Sequence, residues 1–394
     1  MSLHDDALTL APDLVRLRHD LHRFPELGLD LPRTQERVLR ALDGLPLEVS
    51  QGSALSSVTA VLRGGRPGPV VLLRGDMDGL PVAEKAPLPF AADNGAMHAC
   101  GHDLHTAMLA GAAHLLAARR EQLHGDVVFM FQPGEEGSDG AGAMLAEGVL
   151  DAAGRRPVAA YALHVASAMP HGEFGSRRGP ILAASDALNV TVHGAGGHGS
   201  APHRAKDPIP AACEMITALQ TMVTRRFDVF DPVVVTVGLI QAGTQRNIIP
   251  ETAYFEATVR TFSAEARSKV ADAASELVRA IAAAHGLRAE VEYLPGYPVT
   301  VTDGAETDFL ADTVRDVFGE ERYQPMPNPM TGAEDFSRVL DTVPGSFVWL
   351  GAAPKGTDPD SLPLNHSPYA EFDDAVLPDG AALLAELATR RLAA

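Results

Sequence analysis

At 394 residues the chain is longer than the size at which one hydrophobic core usually stops growing, so two domains are expected. Its 46% hydrophobic and 21% charged residues, with 36 Gly and 29 Pro, fit a loop-bearing globular α/β protein and speak against extended disorder. A formal net charge of -19 without any basic run speaks against a nucleic-acid binder, and it leaves an anionic substrate dependent on a cation inside its site.

The amino terminus, MSLHDDALTL, has no basic stretch leading into an apolar one, and no apolar run approaches the roughly eighteen residues of a membrane span. Neither secretion nor membrane insertion is expected. Cys100 and Cys213 are the only cysteines and stand in different neighbourhoods, which suits a reducing, cytoplasmic compartment better than a disulfide framework.

In chain order, residues 4–24 read as an amphipathic helix. The apolar run 70–73 precedes RGDMDGLP and has the pattern of a buried parallel strand. A helix begins near Asp103, with Leu104, Met108, Leu109, Ala112, Leu115 and Leu116 at helical spacing. Further strand-like runs follow at 127–131, before QPGEEG, at 159–163, before His164, and at 347–350, before GAAP. The Ala/Leu-rich segment 375–393 closes the chain as a helix.

From about residue 186 the pattern changes to strand 187–193, helix 208–225, strands 232–241 and 251–262, helix 264–285 stopped by Gly286, and strand 287–293. That β-α-β-β-α-β order predicts an independently folding α+β insert over 184–297, between two parts of a catalytic α/β domain at 1–183 and 298–394. Ligands of open α/β sheets bind beyond the carboxyl ends of the strands, so the polar clusters that follow the first three runs are expected in one crevice.

Those clusters carry the chemistry. MHACGHDLH sets Cys100 and His102 two positions apart, a thiolate and an imidazole suited to zinc or a similar metal, with Asp103 placed to orient a ligating ring. FQPGEEG places Glu135 and Glu136 side by side, where like charges need a cation nearby; one can ligate while the other takes a proton from water. His164 closes an apolar run and is neutral or ligating, and His366 lies in the Pro-bounded loop LNHSP. Singly, each has an ordinary alternative: a buried thiol, an acidic turn, a core histidine, a surface histidine. Jointly they supply ligands for two metals if one group bridges. The insert adds His198 in HGAGGHGSAPH, Asn247 after a strand, and Arg260 at a strand end, where an arginine could supply the cation an anionic substrate requires.

The motifs RGDMDGLP, MHACGHDLHTAMLAGAA, FQPGEEG, SDALNVTVHGAGGHGSAPH, NIIPE, MTGAEDFS and LNHSPY, in this order, resemble the aminoacylase, hippurate hydrolase and auxin-conjugate amidohydrolase family of the di-metal aminopeptidase-like clan. The resemblance spans nearly the whole chain. It implies a catalytic α/β domain with two divalent metals, Mn2+, Zn2+ or Co2+, and an inserted ferredoxin-like lid that mediates assembly into a homodimer or homotetramer. By motif position it implies metal ligation by Cys100, His102, Glu136, His164 and His366, and a general base at Glu135. His198 would stabilise an oxyanion, often in a partner subunit's site, and Asn247 and Arg260 would contact substrate. Asp78 stands where other branches pair an aspartate with a ligating histidine, but Asp76 replaces that histidine, so Asp78 is read as a supporting residue. The implied activity is hydrolysis of N-acyl amino acids to a carboxylic acid and a free amino acid. The rivals are dipeptide, diamino-acid or carbamoyl substrates on the same scaffold, and a metal-binding protein that has lost catalysis.

Overall fold

The computed structural model describes residues 2–394, which divide into two compact units. The first runs up to Ile181 and adds Val301–Asn328 and Arg338–Ala394; the second comprises Leu182–Thr300 and Pro329–Ser337. Strands and helices are numbered in chain order through both. Among the described residues no helix is long and apolar enough to cross a membrane.

The first unit is built on an eight-stranded sheet of β1 (Leu47–Gln51), β2 (Val58–Leu62), β3 (Arg66–Asp76), β4 (His124–Gln132), β5 (Ala159–Ala166), β6 (Phe174–Ser176), β15 (Tyr323–Pro325) and β16 (Gly345–Gly351). The spatial order is β1-β2-β4-β3-β5-β16-β6-β15. Strands β4, β3, β5 and β16 are mutually parallel; on one side β2 pairs antiparallel with β4 and β1 antiparallel with β2, and on the other β6 pairs antiparallel with β16. The sheet is therefore mixed, and the short apolar runs of the sequence form its parallel centre. Two brief strands, β7 (Gly179–Leu182) and β14 (Thr300–Thr302), lie near the unit boundaries.

This unit also carries α1 (Leu3–His22), α2 (Pro32–Leu42), α3 (His102–Ala117), the short α4 (Gly140–Ala146), α7 (Gly304–Phe318) and α9 (Leu377–Ala393), with the four-residue α8 (Ser337–Leu340) at the unit boundary. The Ser2–Asp5 capping box starts α1, satisfying amide groups that the first turn leaves without partners. Alternate residues of the central strands, Val71 and Leu73, Phe129 and Phe131, Tyr161, Leu163 and Val165, share one buried cluster with α1, α3, α7 and α9. Since side chains alternate across a strand, Arg74, Asp76, Gln132 and His164 point to the other face.

Register sets the site. Asp76 is opposite Gln132, Arg74 is opposite Ala162, and His164 is opposite Trp349. Asp76, Gln132 and His164 thus form one row at the carboxyl ends of three parallel strands, with Asp78, Glu135 and Glu136 just beyond it.

The second unit contains β8 (Ala184–His193), β9 (Gly197–His198), α5 (Pro208–Arg226), β10 (Val233–Ala242), β11 (Ile248–Ile249), β12 (Thr252–Thr261), α6 (Ala264–Ala284) and β13 (Arg288–Pro295). Four strands pair antiparallel in the order β10-β12-β8-β13. Along β8 every second residue is buried, and Leu188, Val190 and Val192 join Phe255 and Val259 of β12 against Met215 and Leu219 of α5 and Val270 and Val278 of α6. One face of the sheet is covered by the two helices, the arrangement that alternating strands and amphipathic helices dictate.

Candidate metal centre

Strand β4 ends at Gln132, and Pro133 cannot continue its hydrogen-bonded ladder. Gly134 and Gly137, with φ of 72° and 77°, turn the chain on either side of Glu135 and Glu136. Asp78 fixes this turn: its Oδ1 accepts from the Glu135 amide at 3.1 Å and its Oδ2 from the Glu136 amide at 3.0 Å. Oδ1 also lies 3.3 Å from His102 Nδ1. One carboxylate therefore aligns two acids and a histidine from different segments, which leaves His102 Nε2, buried and without a hydrogen-bond partner, directed elsewhere.

The bend before α3 brings in Cys100. Its Sγ lies 3.4 Å from His164 Nε2 and 3.2 Å from His366 Nε2, and His366 Nε2 is 3.1 Å from Glu136 Oε1. His366 adopts a φ of 71°, unusual for a residue with a side chain, and its amide donates to Ala99 O at 2.8 Å. Asn365 clamps the same loop by donating to Val165 O at 3.0 Å and accepting from the Ser167 amide at 2.9 Å. Hydrogen bonding to Cys100 and Glu136 pushes His366 up to about 10, a measure of how much negative charge faces it. Burial drives His164 well below its ordinary value and keeps the ring neutral, the form that ligates a metal.

Donor atoms of Cys100, His102 and His164 lie within 4.8 Å of one another, as do those of Cys100, Glu136 and His366, and those of His102, Glu135 and Glu136. Cys100, His102 and Glu136 each belong to two of these groups, so the three sets of donors adjoin one another. The orphaned His102 Nε2 and the mixture of thiolate, imidazole and carboxylate fit divalent transition metals.

Gly101 joins Cys100 to α3 at a φ of 85°, and a Cβ there would meet Val165 Cγ2 at 2.3 Å. Gly101→Ala is expected to destabilise the chain by roughly 2–5 kcal/mol, combining left-handed strain with overpacking, and to weaken metal retention. Urea denaturation of the two proteins side by side measures the first effect; an unchanged midpoint would show that the bend relaxes freely.

Three neighbours were given no role in the sequence reading. Asp76 accepts from Arg74 Nη1 at 2.6 Å and pairs with His105 Nδ1 at 2.6 Å, while His105 Nε2 accepts from the Val165 amide at 2.8 Å. That amide bond fixes the His105 tautomer with its proton on Nδ1. Burial favours the neutral acid at Asp76, yet Arg74, His102 and His105 hold it well below the usual carboxylate range. The signal was present: Arg74 and Asp76 alternate on one strand face, and His105 follows His102 by about one helical turn.

Asp103 requires a correction. Expected to orient a ligating imidazole, it instead accepts from Arg18 Nε and pairs with His22 Nδ1, both at 2.8 Å, so it ties α3 to α1; Asp78 is the carboxylate beside His102. The reason is helical phase: Asp103 follows His102 by about 100°, which turns it toward α1. His22 Nε2 also lies 3.0 Å from Glu84. Burial opposes a charge on His22, but Asp103 and Glu84 outweigh it and push it up to about 9. A folded-state value raised above the ordinary 6.5 contributes stability that is complete below pH 6.5 and is lost as pH rises toward 9, on the order of 3 kcal/mol in all. The thermal midpoint should therefore fall between pH 6.5 and 9 more steeply in the wild type than in His22→Gln, and parallel curves would remove His22 as the cause.

The second unit holds the remaining candidates. His198 pairs in register with Ile248, and its Nδ1 accepts from the Ser200 amide at 3.2 Å and lies 2.8 Å from Ser200 Oγ, leaving Nε2 to carry the proton outward. Asn247 is adjacent, its carbonyl accepting from the Gly199 amide at 2.8 Å. Arg260 lies near the far end of β12, opposite Val234, half-buried, with Nη1 lacking a partner. At ~3.4 Å per residue along β12, Arg260 is on the order of 25 Å from the His198–Asn247 corner, so one chain does not bring all three together.

Thiolate, imidazoles and paired acids gathered at the carboxyl ends of parallel strands define a metal-dependent hydrolase of amide bonds. Residues 72–390 match the family described as Peptidase family M20/M25/M40, and the chain belongs to that family. It is similar to thermostable carboxypeptidase 1 of Saccharolobus solfataricus, 36% identical over 393 residues with 98% of each chain covered. N-acetylcysteine deacetylase of Bacillus subtilis is 36% identical over 377 residues, with 95% of this chain and 96% of that one covered. Among solved structures, the YXEP protein of Bacillus subtilis, described as a dinuclear metal binding peptidase from the M20 family, superposes with a TM-score of 0.84 at 33% identity, covering 98% of this chain and 99% of that one.

Proposed function

We propose that the chain hydrolyses N-acyl amino acids, releasing a carboxylic acid and the free amino acid. The observation that carries this reading is the meeting of Cys100, His102, Glu136, His164 and His366 with Glu135 beside them. A carboxypeptidase and an N-acetylcysteine deacetylase, the activities named for two relatives, both cut an amide whose nitrogen belongs to an amino acid with a free carboxylate. That shared group is the recognition element we assign to the substrate.

In this reading Cys100, His102, Glu136, His164 and His366 would hold two divalent ions, with manganese, zinc or cobalt as the candidate metals. The ions would supply Lewis acidity to the amide carbonyl and to the attacking water. Glu135, buried and held by Asp78 through its own amide, accepts the water proton and returns it to the leaving nitrogen. His198 presents its Nε2 proton to the developing oxyanion. Arg260 supplies the cation for the substrate carboxylate, a need that a chain of net charge -19 cannot meet at long range.

The second unit is proposed as a lid, with domain limits near 184–297, and as the surface of a homodimer or homotetramer. Its edge strand β10 exposes Val234 and Ile240, 40% and 51% accessible, and an uncovered apolar edge favours pairing with another chain. The separation of His198 and Asn247 from Arg260 along β12 supports His198 serving a partner subunit's site.

The test is a side-by-side assay of an N-acetyl amino acid, a benzoyl amino acid, a dipeptide and a carbamoyl amino acid with manganese, zinc or cobalt, and chelated protein as control. Metal-dependent turnover of the N-acyl compounds above the others is expected. Preference for the dipeptide or the carbamoyl compound would reassign the substrate, and metal binding without any turnover would leave a binding protein.

A further inference from the structure

Cys100, His164 and His366 reach the metal centre from three separate segments: the bend before α3, the end of β5 and the loop 363–367. Contacts between those segments must set the spacing of their donor atoms. One side chain, Asn365, is bonded to the first two and adjoins the third.

Asn365 Nδ2 donates to Val165 O at 3.0 Å, and lies 3.3 Å from Cys100 O and 3.9 Å from Cys100 Sγ. Its Oδ1 accepts from the Ser167 amide at 2.9 Å, and Ser167 Oγ lies 3.0 Å from Oδ1 and 2.8 Å from Pro363 O. Carbonyls around the nitrogen and a peptide amide at the oxygen fix the orientation of the carboxamide, since neither partner could serve the reversed group.

The Val165 carbonyl also faces His164, whose Nδ1 lies 2.8 Å from the same oxygen. A carbonyl can only accept, so the neutral ring carries its proton on Nδ1 and turns the lone pair of Nε2 toward Cys100 Sγ, 3.4 Å away. Val165 O is thus shared between the ring of one ligand and the side chain next to another.

Asn365 and His366 are the central residues of a turn closed by the Ser367 amide, which donates to Leu364 O at 3.1 Å. His366 holds its third position at a φ of 71°, a conformation that favours glycine. Such a residue stays in place where its surroundings over-determine it. The Asn365 bonds to Val165 and Ser167 do so, together with the His366 amide on Ala99 O.

Taking these residues to hold divalent ions, as proposed above, we infer that Asn365 is a positioning residue of the metal centre, whose carboxamide sets the spacing of Cys100, His164 and His366. Asp78 performs the matching task for His102, Glu135 and Glu136, so each half of the donor set is aligned by one polar side chain.

Titration of the metal-free protein with cobalt tests this, read both as affinity and as the absorption band that a thiolate ligand gives to bound cobalt. Asn365→Ala is expected to bind cobalt roughly 10–100-fold more weakly, the range for losing a partner that orients a ligand, and to show a weaker thiolate band per bound ion. A merely structural residue would lower the thermal midpoint of the metal-free protein and leave both cobalt measurements at wild-type values, which would overturn the inference. Should Asn365→Ala fail to fold, Ser167→Ala removes only the hydroxyl beside Oδ1 and should shift both measurements less, in the same direction; titrations that superimpose on the wild type would again count against Asn365. A crystal structure of the cobalt-loaded wild type needs no variant, and Asn365 turned away from Val165 O in it would be equally decisive. Wild-type protein that takes up no cobalt would instead end the metal-binding proposal itself.

Discussion

Replacing Glu135 by Gln is expected to lower kcat by about 10²–10⁴-fold, the range that a positioned general base contributes, while metal content stays at the wild-type level. The amide of residue 135 would still donate to Asp78, and Gln has the same shape as Glu, so the turn and the ligands around it should remain in place. Kinetics on an N-acyl amino acid, paired with elemental analysis of the dialysed protein, separate the two roles open to this side chain. Its donor atoms lie within 4.8 Å of His102 and Glu136, so a metal-ligating role would reveal itself as metal lost together with activity. Near-normal turnover would end the assignment altogether.

Cys100→Ala should have the larger effect on metal binding. Cys100 belongs to two of the three-residue donor groups and is buried, so its removal would take a donor from both groups and leave His164, His366 and Glu136 without their common neighbour. Loss of an outer partner of a ligand costs roughly 10–100-fold in affinity, and loss of a ligand itself should exceed that. The expected result is fewer than two metals per chain after dialysis and no measurable hydrolysis at stoichiometric metal, with partial recovery at large metal excess. Two tightly held ions in Cys100→Ala would refute the assignment of Cys100 as a metal ligand. Cys213, the exposed second cysteine, provides the control, since Cys213→Ala should leave both readings unchanged.

Much of this centre was visible before any coordinates. Short apolar runs followed by polar clusters pointed to parallel strands whose carboxyl ends meet, and β3 and β4 do end level at Asp76 and Gln132, in one row with His164 near the end of β5. Periodicity identifies such strands because a buried sheet strips polar residues from both faces of a strand and leaves them only where it ends. The helix expected near Asp103 begins at His102, and the one expected at 208–225 spans Pro208–Arg226, because the Gly and Asp before them mark where helices start.

The antiparallel flanks of the sheet were not legible. An apolar strand such as β2 carries no mark of direction, and only its register with β4 reveals it. The buried ion pairs were equally hidden: Arg18 and His22 read as the polar face of an amphipathic helix, yet both end against Asp103, some eighty residues away. The misplacement of Asp103 has the same origin, since adjacency in sequence says little about which way a helical side chain points.

By itself the sequence determined which residue types are available for metal chemistry, the segments that carry them, and the alternation of strand and helix that gathers those segments at one edge. The tertiary structure alone decided that Asp78 rather than Asp103 stands beside His102, that Asp76, Arg74 and His105 form the buried support, and that His198 and Arg260 of one chain stay apart. Local propensity is encoded within a few neighbouring residues, whereas hydrogen-bond partnership depends on strand register and helix phase, which are set only when distant segments pack together.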